Sequence, residues 1–158
     1  ATETDAPEIK EIELYEEPLL AALPLRHRLA SAKKVNEDAL TDELLVLAEG
    51  HCLSTQALAA CGAKHGAHGM GPGHVRNSLH GAMQAATLET LVNLVAAGYG
   101  ATLIPALAAG SLGQRGIVLL PLVGRTRRTI RLASRPGFPR AQALRAIEKV
   151  IRKAVSFA

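Results

Sequence analysis

Apolar and polar positions alternate partly over Ile9 to Tyr15, which predicts a strand, with Pro18 as a break. Leu19 to Leu23 is a second apolar run and predicts another strand, ended by Pro24. Asn36 is placed to cap a short helix over Glu37 to Leu40. Leu44 to Ala48 is apolar without interruption, the pattern of a strand buried on both faces as in a parallel sheet. The chain then turns through Glu49-Gly50-His51, and Cys52 to Cys61, rich in Leu and Ala, predicts a helix with Gly62 as its stop. Thr87 reads as the cap of a further helix with Glu89 in its first turn, striped by Leu88, Leu91, Val92, Val95 and Ala96 and ended by Gly98 and Gly100. Strands follow over Ala101 to Ile104, stopped by Pro105, over Ile117 to Leu120, stopped by Pro121, and over Thr129 to Ala133. Ala106 to Ser111 makes one short helix. Gln142 to Val155 predicts an amphipathic basic helix with Leu144, Ile147, Val150 and Ile151 inward.

Alternating strands and helices predict an α/β fold with crossover helices. The length, 158 residues, suits one ordinary core, and 48% apolar with 20% charged residues is a globular balance. Aromatics are 3% with no Trp, so Leu, Val, Ile and Ala must fill that core. A formal charge of +4 is too small to argue for nucleic-acid binding by this chain, and the basic last helix reads as a solvated face. No apolar stretch approaches the roughly 20 residues of a membrane span, and the acidic start, Ala1 to Lys10, is no signal peptide. A cytoplasmic location is therefore expected, without membrane contact.

In that compartment two cysteines are not a disulfide framework but buried, catalytic, metal-binding or redox-sensing groups. Cys52 falls at the first turn of its helix, where the dipole and free N–H groups favour a thiolate over a thiol. A thiolate attacks peroxide, and the first product is a sulfenic acid. His51 is placed to donate a hydrogen bond or, protonated, a charge. Cys61 lies nine residues on. Nine helical residues rise ~13.5 Å and leave the two side chains on opposite faces, whereas a disulfide needs Cα atoms within ~7 Å. A bond between them therefore requires the helix to unwind, so chemistry at one sulfur becomes a change of backbone shape. The stretch from Gly62 to Gly81, with six glycines, four histidines and Pro72, predicts a flexible loop that supplies slack.

Glu49-Gly50-His51-Cys52-Leu53, then Gln56-Ala57 and Cys61, resembles the redox segment of the OxyR family, the hydrogen-peroxide-sensing LysR-type transcription regulators. Thr87 to Leu91, Val95 to Gly98, Thr102 to Ala108, Arg127 to Ile130 and Arg135 to Gly137 also resemble that family, so the likeness runs from about Leu14 to Val155. It implies a Rossmann-like, periplasmic-binding-protein-like effector fold. Residues 1–13 would be a linker or hinge strand. Residues 14–122 would form effector subdomain II, with a redox segment at 49–62 and a flexible loop at 63–81. Residues 123–158 would be the return strand and C-terminal helix of subdomain I. The resemblance makes Cys52 the peroxidatic and Cys61 the resolving cysteine, with His51 and Arg128 near the reactive sulfur and Thr55 and Gln56 in the same pocket. Thr55 stands where the family commonly carries an acidic residue. It further implies a homodimer or homotetramer, and DNA and RNA polymerase as partners of the full-length protein rather than of this segment. No cofactor and no metal are expected: Cys52, Cys61, His65, His68, His74 and His80 match no compact ligand pattern. Two other readings stay open here, a metabolite-binding LysR-type effector domain with non-redox cysteines, and a thiol peroxidase turned over by thioredoxin or glutaredoxin. The family resemblance favours a regulator over an enzyme.

Overall fold

The computed structural model describes residues 6–48, 52–62 and 85–155. The chain divides into two units, one made of residues 1–18 with 127–158 and the other of residues 19–126.

Strand β1 (Lys10–Pro24) contributes to both. Pro18 does not break it, contrary to the expectation from sequence. Pro18 takes the last position of one antiparallel ladder, opposite Arg127; Leu19 N–H still donates to the preceding Thr126 O at 2.9 Å, and from Leu19 on the strand also pairs with a new neighbour, Leu19 opposite Pro105. A proline lacking an N–H is tolerated where one ladder ends and another starts.

In the larger unit, the second half of β1 lies between β2 (Thr102–Pro105) and β3 (Ile117–Pro121), antiparallel to both. Pro105 and Pro121 end these strands where the sequence puts them. Helix α2 (Leu88–Ala96) packs on β2 and β3. Thr87 caps it, accepting from Thr90 N–H at 3.1 Å. Ala21, Ala22, Leu23, Val92, Val95, Leu103 and Ile104 are fully enclosed at the centre of the core. Ala106–Ala108 and Ala109–Leu112 form a 3₁₀ turn and the short helix α3.

Leu44 to Ala48 departs from the regular strand expected of it. It runs parallel to its partners but makes only single bridges, Leu44 with Ala101 and Leu47 with Ala85. Leu45 N–H donates to Ala101 O at 2.7 Å, while Leu45 O accepts from the Thr102 hydroxyl at 2.8 Å, a side-chain bond where a ladder uses a backbone N–H. All the paired named strands are antiparallel.

A 3₁₀ helix, η1 (Glu37–Glu43), begins at Asn36, whose side chain accepts from Asp38 N–H at 3.3 Å. Glu37 is buried, and its carboxylate takes Gly124 N–H at 3.1 Å and Thr126 Oγ1–H at 2.7 Å. A Cβ at Gly124 would stand 2.6 Å from Glu37 Oε1, so any larger residue there would push this carboxylate aside. Burial raises the Glu37 pKa. The hydrogen bonds from the Thr126 side chain and from backbone N–H groups, including those of Gly124 and Thr126, outweigh it and hold the carboxyl below its ordinary value. At the other end of η1, Glu43 Oε1 lies 2.9 Å from His27 Nε2. His27 Nδ1 accepts from Leu29 N–H at 3.2 Å, so Nε2 carries the proton given to Glu43.

In the smaller unit, the first half of β1 pairs with β4 (Arg127–Ser134), with a bulge between Glu13 and Tyr15. That extra residue is why the alternation in the sequence is only partial. Opposed charges set the register: Glu17 Oε2 is 2.6 Å from Arg128 Nη2, and Glu13 Oε1 is 3.1 Å from Arg131 Nη2, each across a matched pair. Helix α4 (Ala141–Ala154) forms as predicted, and Arg152 reaches the carbonyl of Glu13. Its apolar face is not buried as expected: Leu144 and Ile151 are half-covered, while Ile147 and Val150 are 46% and 65% exposed. Among the described residues nothing covers Ile147 and Val150.

Replacing Glu37 with Gln should destabilise the fold by about 1–3 kcal/mol at neutral pH, the loss of charge-assisted bonds to a buried carboxylate. Its contribution is fully present above the unfolded carboxyl pKa and is lost as pH falls through the lower folded value. Urea midpoints of wild type and Glu37→Gln should therefore converge in acid, and a gap independent of pH would contradict this role for Glu37.

Candidate functional site

Helix α1 (Cys52–Ala60) buries Leu53, Ser54 and Ala57 on one face, so its apolar positions fix it to the core. Cys52 is the first residue of the helix and is exposed, and Cys61 follows the last helical residue and is 1% exposed. Cys61 N–H still donates to Ala57 O at 3.1 Å, so the helical bonding extends one residue further. Gly62, at φ +64°, ends it in the left-handed region that glycine enters without a Cβ penalty.

The two thiols are therefore free and stand at opposite ends of one helix. Nine helical residues separate their Cα atoms by ~13.5 Å, far beyond the ~7 Å limit for a disulfide. Their surroundings differ as sharply. Cys52 is open to small solutes. Cys61 packs within the hydrophobic core, and burial, with the neighbouring Glu37 and Asp38 carboxylates, pushes its thiol up to about 11. Cys61 is thus held protonated while α1 is formed.

Helix α1 packs on η1. Thr41 of η1 places its hydroxyl 2.6 Å from the carbonyl oxygen of Cys61. Neither Thr41 nor the Glu37–Asp38 pair stood out in the sequence, although two acidic residues directly after a capping Asn was a signal available there.

Of the other residues singled out from sequence, Thr55 is exposed on α1. Gln56 is half-buried on the same helix, and its Oε1 has no hydrogen-bond partner among the described residues. Arg128 belongs to the smaller unit, where Nε donates to Glu17 Oε2 at 2.7 Å, and that glutamate is fully buried. Its guanidinium is thereby engaged by an ion pair. His51 and the histidines of the glycine-rich stretch lie outside the described residues. Among the described residues no group of three or more His, Cys, Asp or Glu is placed to hold a metal ion, and no helix is long and apolar enough to cross a membrane.

The LysR substrate binding domain family matches residues 1–156. The DNA-binding transcriptional dual regulator OxyR of Escherichia coli K12 is 38% identical over 92% of this chain and 49% of its own length. The chain thus spans about half the length of the curated relatives it matches. Two solved structures share 34% identity and cover 97% of this chain and 68% of their own: the reduced form of OxyR, at a TM-score of 0.76, and the oxidised form of OxyR, at 0.71.

The raised Cys61 pKa gives a stability signature. Between pH 9 and about 11 the unfolded chain releases this proton and the folded chain keeps it, so stability falls as pH rises through that window. Cys61→Ala should remove this part of the alkaline loss, read as a smaller change in urea midpoint than in wild type. In the native protein at neutral pH, iodoacetamide should label Cys52 well before Cys61, and equal labelling rates would contradict the burial of Cys61.

Proposed function

The chain belongs to the LysR substrate binding domain family, and from that premise we propose that it is the peroxide-sensing part of a LysR-type transcription regulator, with Cys52 as peroxidatic and Cys61 as resolving cysteine. The observation that carries this reading is the placement of an exposed thiol at the head of α1 and a buried, protonated one just past its other end.

The chemistry follows from that placement. The Cys52 thiolate attacks one oxygen of hydrogen peroxide, the S–O bond forms as the O–O bond breaks, and hydroxide leaves. The resulting sulfenic acid is then attacked by the Cys61 sulfur, which loses its proton as water departs and the S–S bond forms. The second step needs Cα atoms within ~7 Å, so α1 must come apart first. Oxidation therefore exchanges a packed helix for a cross-linked loop, and that change of shape is the signal. Two sulfurs cycling between thiols and a disulfide need no cofactor.

In the whole protein the signal would pass to an oligomer, a homodimer or homotetramer, and from there to DNA and RNA polymerase in the cytoplasm. His51 would serve as a hydrogen-bond donor beside the reactive sulfur, with Thr55 and Gln56 along the same helix. Arg128 is held in the smaller unit by its ion pair with Glu17. The half-length match to regulators rather than enzymes supports a sensor over a peroxidase. The exposed Ile147 and Val150 of α4 suit a face covered by the rest of the effector domain, with this chain supplying subdomain II and the return strand and helix of subdomain I.

Mass spectrometry after stoichiometric hydrogen peroxide tests the reading. Wild type should yield a Cys52–Cys61 disulfide, and Cys61→Ser a Cys52 sulfenic acid captured by dimedone. Two unmodified thiols in the wild type after this treatment would sink the sensor and leave a metabolite-binding effector domain.

A further inference from the structure

The last carbonyls of a helix have no partner inside it, and the atoms that satisfy them decide how easily that end opens. For α1 the carbonyl of Cys61 accepts from Thr41 Oγ1 at 2.6 Å, across 20 residues of sequence. Thr41 sits in η1, which is pinned at both ends, by Glu37 to Gly124 and Thr126 and by Glu43 to His27. The donor is thus mounted on a fixed element, while its acceptor belongs to the residue that must move when the disulfide forms. The same Thr41 oxygen also lies 3.0 Å from the carbonyl of Asp38. A hydroxyl has one proton, so it gives it to Cys61 or to Asp38.

We propose that Thr41 is a latch on the C-terminal end of α1, a positioning residue that holds Cys61 in the core and sets how readily it is released toward oxidised Cys52. This rests on the sensor reading above. The latch is releasable because its proton has a second acceptor: as Cys61 departs, the hydroxyl turns to Asp38 O and no donor is stranded. Thr41 does not touch Cys52, so its effect belongs to the second chemical step and not the first.

Removing the hydroxyl at nearly constant shape, in Thr41→Val, leaves the Cys61 carbonyl without its donor and should free that end of the helix. Restoring a hydroxyl, in Thr41→Ser, should return wild-type behaviour. Two rates read this. In a Cys52→Ser background, native-state labelling of Cys61 by N-ethylmaleimide at fixed neutral pH should be about fivefold faster in Thr41→Val, the size of one net hydrogen bond. With Cys52 present, sulfenic acid formation should keep its wild-type rate while disulfide closure accelerates by a similar factor. Thr41→Ala serves the same comparison where the valine variant folds poorly. Unchanged labelling and unchanged closure on loss of the hydroxyl, or a serine variant that behaves like valine, would overturn the latch. A labelling difference in a protein whose wild-type cysteines never join would instead overturn the sensor reading, and with it any role for Thr41 in closure.

Discussion

A helix climbs about 1.5 Å per residue, and this fixed pitch keeps the sulfurs at the ends of α1 apart for as long as α1 persists. The rest of the site can be understood as work done for or against that spacing. Leu53 and Ala57 anchor the helix in the core, Gly62 closes it in a conformation a bulkier residue would resist, and Cys61 is sealed beneath. Each favours the open-thiol state. A bond between the two cysteines would have to outweigh all of them.

The two cysteines are suited to unequal tasks. An exposed thiol at a helix start is available to a small oxidant. A thiol surrounded by hydrocarbon and two carboxylates keeps its proton and is a poor target. Were both exposed, oxidant would consume the partner before it could act. In the proposed reaction burial would thus give the two steps an order that the chemistry of sulfur alone does not provide.

Features decided within a few residues were legible in the sequence. Thr87 and Asn36 cap the helices expected of them, Pro105 and Pro121 end their strands, and Gly62 ends α1, because capping, the missing proline N–H and left-handed backbone are local constraints. Features decided by a distant partner were not. Pro18 passes unbroken because β1 changes neighbours there. Leu44 to Ala48 falls short of a strand because the Thr102 hydroxyl, 57 residues away, takes the Leu45 carbonyl. The apolar stripe of α4 announces a helix but not what covers it. At the site the cysteine pair and its spacing could be read directly. The grip of Thr41 on a carbonyl and of Glu37 on Gly124, 87 residues off, could not, since no local pattern marks a contact made across the fold.

The Thr41 oxygen between two carbonyls also bears on recovery. A switch that snaps a structural bond each time it fires must rebuild that bond before it can fire again, and damage accumulates when rebuilding fails. In the proposed switch the hydroxyl would have an acceptor before and after, so once a reductant had cleaved the sulfur–sulfur linkage no stranded donor would stand against the return of α1.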